Sequence, residues 1–247
     1  GIVASSGLPH YNSDEEYLQE LKYPIYYAVQ KDIDIRTGGP TLIDFDMQRI
    51  SQRINIILNI RTEGDIKKED LLPPIIELSG ACGHFNISEA CLDTTRLYRM
   101  VHQAQPDEFT QTGENTYRCV VHFHTLGVIP SAAKGHLNGP GILQVALQVS
   151  ANRLDASGAP VLDQDGKPVK NSRYIYGAIN PYDELTAAQL IEVRDGKTYL
   201  RYSKDDVNIE ITSPLVIKAD QIVSDDTGMG WQPNDPTNPD DDIIIEI

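Results

Sequence analysis

The sequence predicts an all-β fold, an antiparallel β-sandwich carrying one or two short helices. Three observations support it. Apolar residues recur at every second position in several separate runs, Gly, Pro, Asn and Asp cluster between those runs, and patterns of helical period are few. The run 53–60 shows the first point: Ile54, Ile56, Leu58 and Ile60 share one face, while Arg53, Asn55 and Asn59 fall on the other. That alternation is the mark of a half-buried strand.

The elements follow in order. Ser13-Asp14-Glu15-Glu16 is a capping-box pattern that opens a short helix with Tyr17, Leu18 and Leu21 on one side, and Pro24 ends it. Residues 1–40 therefore read as an N-terminal segment and 41–247 as the sandwich region, in which a boundary between sub-domains would fall at 126–141. Short strands are expected at 25–29, 33–35, 42–47 and 75–78. Residues 88–103 are read as a helix, with Cys91, Thr95, Tyr98 and Val101 or His102 along one stripe. Alternation returns at 117–125 (Cys119, Val121 and Phe123 inward) and at 143–151 (Leu143, Val145, Leu147 and Val149 inward). Leu154 to Val161 is followed directly by the similar run Leu162 to Val169, which suggests a pair of turns in a long exposed hairpin ahead of a strand at 174–179. Thr186-Ala187-Ala188-Gln189 is a second capping-box pattern and should begin one or two helical turns. Strands at 207–212 and 215–219 follow. After the polar stretch 231–242 the chain closes on Ile243-Ile244-Ile245-Glu246-Ile247, a β-forming run with Ile243, Ile245 and Ile247 on one side.

A formal net charge of −15 over 247 residues argues against nucleic-acid binding, which concentrates Lys and Arg against phosphates. No run approaches the roughly 18 apolar residues that a membrane span requires. Gly1-Ile2-Val3 has the form of a processed start, so an export signal or lipid anchor is expected upstream of it. Cys82, Cys91 and Cys119 read as small buried hydrophobes, although Cys82 and Cys91 could pair.

Few motifs carry chemistry. Asp163-Gln164-Asp165-Gly166 resembles the start of a calcium loop, but Ser172 stands where the closing carboxylate belongs and Pro168 interrupts, leaving an Asp-Gly turn. Asp240-Asp241-Asp242 reads as a solvated linker end. His122 and His124 lie on one face of a strand, as metal-binding pairs do, and a third ligand would have to come from His84, His102, His136 or a carboxylate. With Arg118 on the same face, the pair reads as exposed. There is no Gly-x-Ser-x-Gly elbow and no phosphate-binding Gly-x-x-x-x-Gly-Lys loop. No catalytic residue, metal or cofactor is expected.

Taken in order, several stretches resemble the fimbrillin superfamily of Bacteroidales surface lipoproteins. They are 53–60 with its leading Arg53, Ile76-Glu77-Leu78-Ser79-Gly80, Phe123-His124-Thr125-Leu126-Gly127, the strand 143–149, and Trp231 followed by the closing strand of Ile243, Ile244, Ile245 and Ile247. The resemblance implies a transthyretin-like sandwich and a role in assembly, anchoring or adhesion at the outer membrane. It also implies fimbrial subunits or a surface protein as partners, joined by β-strand complementation through the closing strand. In polymerising members an arginine-specific protease removes an N-terminal strand; Arg36, Arg49 and Arg53 are near enough to the start, and none is assigned that role. Two other expectations stand beside this one. A surface glycan-binding module would stack sugars on tyrosines such as Tyr17, Tyr23, Tyr26, Tyr27, Tyr98, Tyr174, Tyr176 and Tyr182. A metal-dependent enzyme would use His122 and His124.

Overall fold

The computed structural model describes residues 3–4, 17–30, 32–35, 37–201, 206–219 and 243–246. Two sheets face each other across one apolar core. The larger runs in the order β1 (Val3–Ala4), β2 (Tyr17–Leu18), β7 (Cys91–Gln103), β6 (Ile75–Asn86), β10 (Leu143–Asn152), β11 (Lys170–Ile179) and β15 (Ile243–Glu246). A hairpin of β12 (Ile191–Arg194) and β13 (Lys197–Leu200) joins β7 at Leu92. The smaller sheet runs β14 (Val207–Lys218), β5 (Gln52–Glu63), β9 (Thr116–Thr125) and β8 (Phe109–Gly113). A separate pair, β3 (Tyr26–Tyr27) with β4 (Gln48–Arg49), lies before them.

The all-β sandwich is as the alternation requires. Ile54, Ile56, Leu58 and Ile60 of β5 and Val121 and Phe123 of β9 meet Leu78 of β6 and Leu143, Val145, Leu147 and Val149 of β10. This core draws on strands from both sides of residues 126–141. Most neighbours are antiparallel, but β14 lies parallel to β5, β15 parallel to β11 and β2 parallel to β7. The two strands expected at 207–212 and 215–219 are one strand with a register shift between Ile211 and Leu215. Pro214 falls inside that shift, on an edge strand, where a residue without an N–H costs no ladder bond.

Four sequence expectations are corrected. Residues 88–103 do not form a helix. Asn86 Oδ1 accepts hydrogen bonds from the Ser88 and Glu89 N–H groups at 3.1 and 3.2 Å, turning the chain back so that β7 pairs with β6, Met100 opposite Leu78. The second capping box marks the end of a helix rather than its start. The helix α1 runs Tyr182–Ala188, and left-handed Gln189 closes it by donating its N–H to Thr186 O. Tyr17 and Leu18 are a strand, held to β7 opposite Arg99, not helical; 13–16 lie outside the described residues. Residues 33–35 and 42–47 carry the alternation of strands yet pair with nothing among the described residues, and Ile35 and Leu42 are 76% and 88% exposed.

The repeat forms two successive turns. Asp155 Oδ1 accepts from the Ser157 and Ala159 N–H groups, and Asp163 Oδ1 accepts from those of Asp165 and Lys167. Both carboxylates thus cap their own turns. The three cysteines are free and buried. Among the described residues no helix is long and apolar enough to cross a membrane.

Candidate functional site: the β15 edge and an outer-face cleft

The closing strand was the one site read from sequence. In the structure β10 covers one side of β11 along its whole length, from Asn152 opposite Lys170 to Leu143 opposite Ile179. On the other side β15 runs parallel to β11, with Ile243 opposite Ile175, Ile244 opposite Tyr176, Ile245 opposite Gly177 and Glu246 opposite Ala178. It therefore covers four residues of a ten-residue strand and forms the outer edge of the large sheet. Trp231, the triplet 240–242 and Ile247 lie outside the described residues, as does Arg36.

The histidine pair divides. His124 is buried, not exposed, because the N-terminal segment crosses the end of β9. Its Nδ1 lies 2.8 Å from Leu21 O and its Nε2 2.9 Å from Ser51 Oγ, and burial lowers its pKa. His122 turns toward carboxylates, with Nδ1 3.7 Å from Glu108 Oε1 and Nε2 3.8 Å from Glu20 Oε1. His102 shares Glu108, its Nε2 2.9 Å from Oε2. Among the described residues no group of three or more His, Cys, Asp or Glu side chains is placed to hold a metal ion.

A cleft of about 540 Å³ opens on the large sheet, and the sequence reading missed it. Leu78 and Leu143 point into the core, so by strand alternation Glu77, Ser79 and Gln144 lie on the opposite, outer face. There the register of β6 against β7 shifts between Leu78 and Ala81. The loop 131–142 is fastened onto this bulge. Ser79 Oγ donates to Gly139 O at 2.6 Å and accepts from Ile142 N at 3.0 Å, while Gly141 N donates to Ser79 O and Ile129 N to Gly80 O. From the other side Asn180 Nδ2 donates to Ala133 O and His136 O. Arg96, Arg99 and Asn138 line the opening, and the Arg96 guanidinium stands 5.6 Å over the Tyr98 ring.

Behind the cleft Glu77 is almost wholly buried. Tyr17 donates its hydroxyl to Oε2 at 3.1 Å, and Arg99 Nη1 lies 2.5 Å from Oε1. Burial pushes this carboxyl up to about 7, against the hydrogen bond from Tyr17. The only sequence sign of the cleft was Leu78-Ser79-Gly80, whose Ser and Gly build the bulge. Of the tyrosines considered for stacking, Tyr17 and Tyr98 are buried, Tyr23 and Tyr26 are exposed, and Tyr174 and Tyr176 stack on each other at 6.1 Å.

No family model and no curated protein matches the chain. Among solved structures it is similar to one described as a putative adhesin from Bacteroides ovatus, at 8% identity and a TM-score of 0.39. That likeness covers 82% of this chain and 59% of the other. Function at this level of likeness has to be argued from the chain's own geometry.

Proposed function

We propose that the protein is a non-enzymatic structural or adhesion component of a cell surface that assembles through its closing strand. The observation that supports this is the seat of β15. Among the described residues it is the last element, it forms the outer edge of the large sheet in a short parallel register, and 24 residues (219–242) separate it from β14. Main-chain bonds hold it to β11, and main-chain bonds are indifferent to which copy supplies the strand. A linker of that length reaches a neighbouring molecule as easily as its own sheet. Exchange then needs only concentration, because intramolecular pairing is favoured by the tether alone. The N-terminal export signal and anchor, and fimbrial subunits as the partners, belong to this reading.

Removal of residues 243–247 tests it. The full chain, concentrated and held near its melting temperature, is expected to give dimers and longer chains by size exclusion with light scattering. The shortened chain is expected to stay folded and monomeric. Oligomers that persist without β15, or loss of the fold on its removal, would sink the proposal.

A further inference from the structure

We propose that the Asn138–Gly139 junction in the loop 131–142 is a self-modifying site, at which the main chain turns the Asn138 amide into a carboxylate through a cyclic succinimide. The inference concerns the outer-face cleft and does not depend on assembly through β15.

Sequence singles the junction out. The chain holds 12 asparagines, and only Asn138 is followed by glycine. The following residue matters because its main-chain nitrogen is the nucleophile, and a Cβ beside that nitrogen crowds its approach to the asparagine side chain. Joined in one chain, the two groups react without the entropy cost of meeting. Other asparagines lack this arrangement. Asn55, Asn86 and Asn208 precede isoleucines, whose branched Cβ obstructs the attack, and Asn180 precedes Pro181, which has no N–H to give up. Their amides are also engaged: Asn55 with Asn208, Asn86 with the Ser88 and Glu89 N–H groups, and Asn180 with Ala133 O and His136 O.

The fold leaves the junction open. Asn138 and Gly139 are both exposed, and a Cβ built on Gly139 would meet nothing within 4 Å, so no neighbour walls off the nucleophile on that side. Gly139 holds φ at +100°, which a residue with a side chain adopts only under strain. The bonds that fasten the loop do not stand in the way. Ser79 Oγ donates to Gly139 O and Gly141 N donates to Ser79 O, and ring closure consumes none of these atoms.

The chemistry balances with water alone. The Gly139 nitrogen loses its proton to solvent and attacks Asn138 Cγ. The new N–Cγ bond closes a five-membered ring, the Cγ–Nδ2 bond breaks, and Nδ2 takes up a proton and leaves as ammonia. Water then opens the ring at one of its two carbonyl carbons. Opening at Cγ leaves an aspartate in an ordinary main chain; opening at the main-chain carbonyl leaves an isoaspartate, whose main chain runs through Cβ and is one atom longer. One water enters, one ammonia leaves, and nothing is oxidised or reduced. Either product adds a negative charge to a cleft whose lining includes Arg96 and Arg99. Isoaspartate also lengthens the loop between the His136 and Gly139 carbonyls, which Asn180 and Ser79 hold.

The test incubates the whole folded chain at pH 6 and at pH 8 and follows it by peptide mass spectrometry and ion exchange. Residue 138 is expected to exchange NH2 for OH, faster at pH 8, while the other asparagines among the described residues keep their amides. Fragmentation should find both aspartate and isoaspartate there. Hydroxylamine, which attacks the succinimide, should cut the chain into 1–138 and 139–247. G139A should slow the exchange severalfold and N138Q should abolish both it and the acidic shift on ion exchange, each with the circular dichroism of the parent. N138D should elute from the start where the aged parent elutes. An amide that survives in the folded chain but is lost in urea would overturn the proposal, since the fold would then hold the junction shut. So would loss at residue 138 no faster than at Asn86, or an acidic shift that persists in N138Q.

Discussion

An alanine at position 80 would place its Cβ 2.7 Å from both Gly141 N and Ile129 O, on a backbone held at φ +82°. Neither neighbour is a side chain that can swing away, so G80A should destabilise the fold by about 3 kcal/mol in urea titration. G139A shares the positive φ but meets nothing within 4 Å, and should cost only about 1 kcal/mol. Cys82 and Cys119 are fully buried, and burial pushes both thiols up to about 12. With no thiolate and no access they should remain unlabelled by iodoacetamide at pH 8 and label fully in denaturant, as read by mass spectrometry. Glu77 gives a pH dependence of definite sign. Its carboxyl is raised from 4.5 to about 7, so the folded state prefers the proton. The stability this contributes is complete below pH 4.5 and is lost as pH rises through 7, a change on the order of 3 kcal/mol. In E77Q the decline of the urea midpoint between pH 5 and 8 should flatten. None of these behaviours was legible in sequence except the burial of the cysteines, which Cys119 announced by alternating with Val121 and Phe123. Glu77 read as one more strand residue, because its partners Tyr17 and Arg99 lie 60 and 22 positions away.

Strands with one wet and one dry face were legible, and strands that depart from that condition were not. Residues 53–60, 117–125 and 143–151 alternate cleanly because each has one face on the core. β7 does not: its Thr94, Thr95 and Arg96 are exposed in succession at a second register shift against β6, between Cys82 and His84, which blurs the period and left a false helical stripe. Residues 33–35 and 42–47 fail in the opposite way, since the pattern is present and no strand lies beside them among the described residues. A pattern states what a segment can pair with, never whether the partner is there. At β15 the same logic gives a mutational test. An edge strand directs only alternate N–H groups at its neighbour, so of I244P and I245P one should remove a bond to β11 and the other should not. Hydrogen exchange at Ile175 to Ala178 is expected to quicken in one variant and to stay near the parent in the other. Equal effects would mean that β15 does not hold the register described.

The sandwich as a whole depends on pairings far apart in sequence. Composition and alternation could not show that β14 would return to lie parallel beside β5, because parallel pairing leaves no hairpin turn to read. Asn55 and Asn208, bonded side chain to side chain at 2.9 Å across these strands, are 153 residues apart. A chain cut after residue 206 should therefore lose its cooperative unfolding transition and bind ANS, since Ile209, Ile211, Leu215 and Ile217 leave the core with β14. Refolding of the full chain should take seconds or longer rather than milliseconds. The β5–β14 pair has a further meaning for the order in which the chain is made. At translation speeds of about 5–20 residues per second, β14 emerges roughly 10–30 s after β5. Through that interval Ile54, Ile56, Leu58 and Ile60 belong to a growing polypeptide with the final neighbour of their strand still inside the ribosome. A chaperone that holds nascent chains unfolded would find its grip there, at residues 53–60.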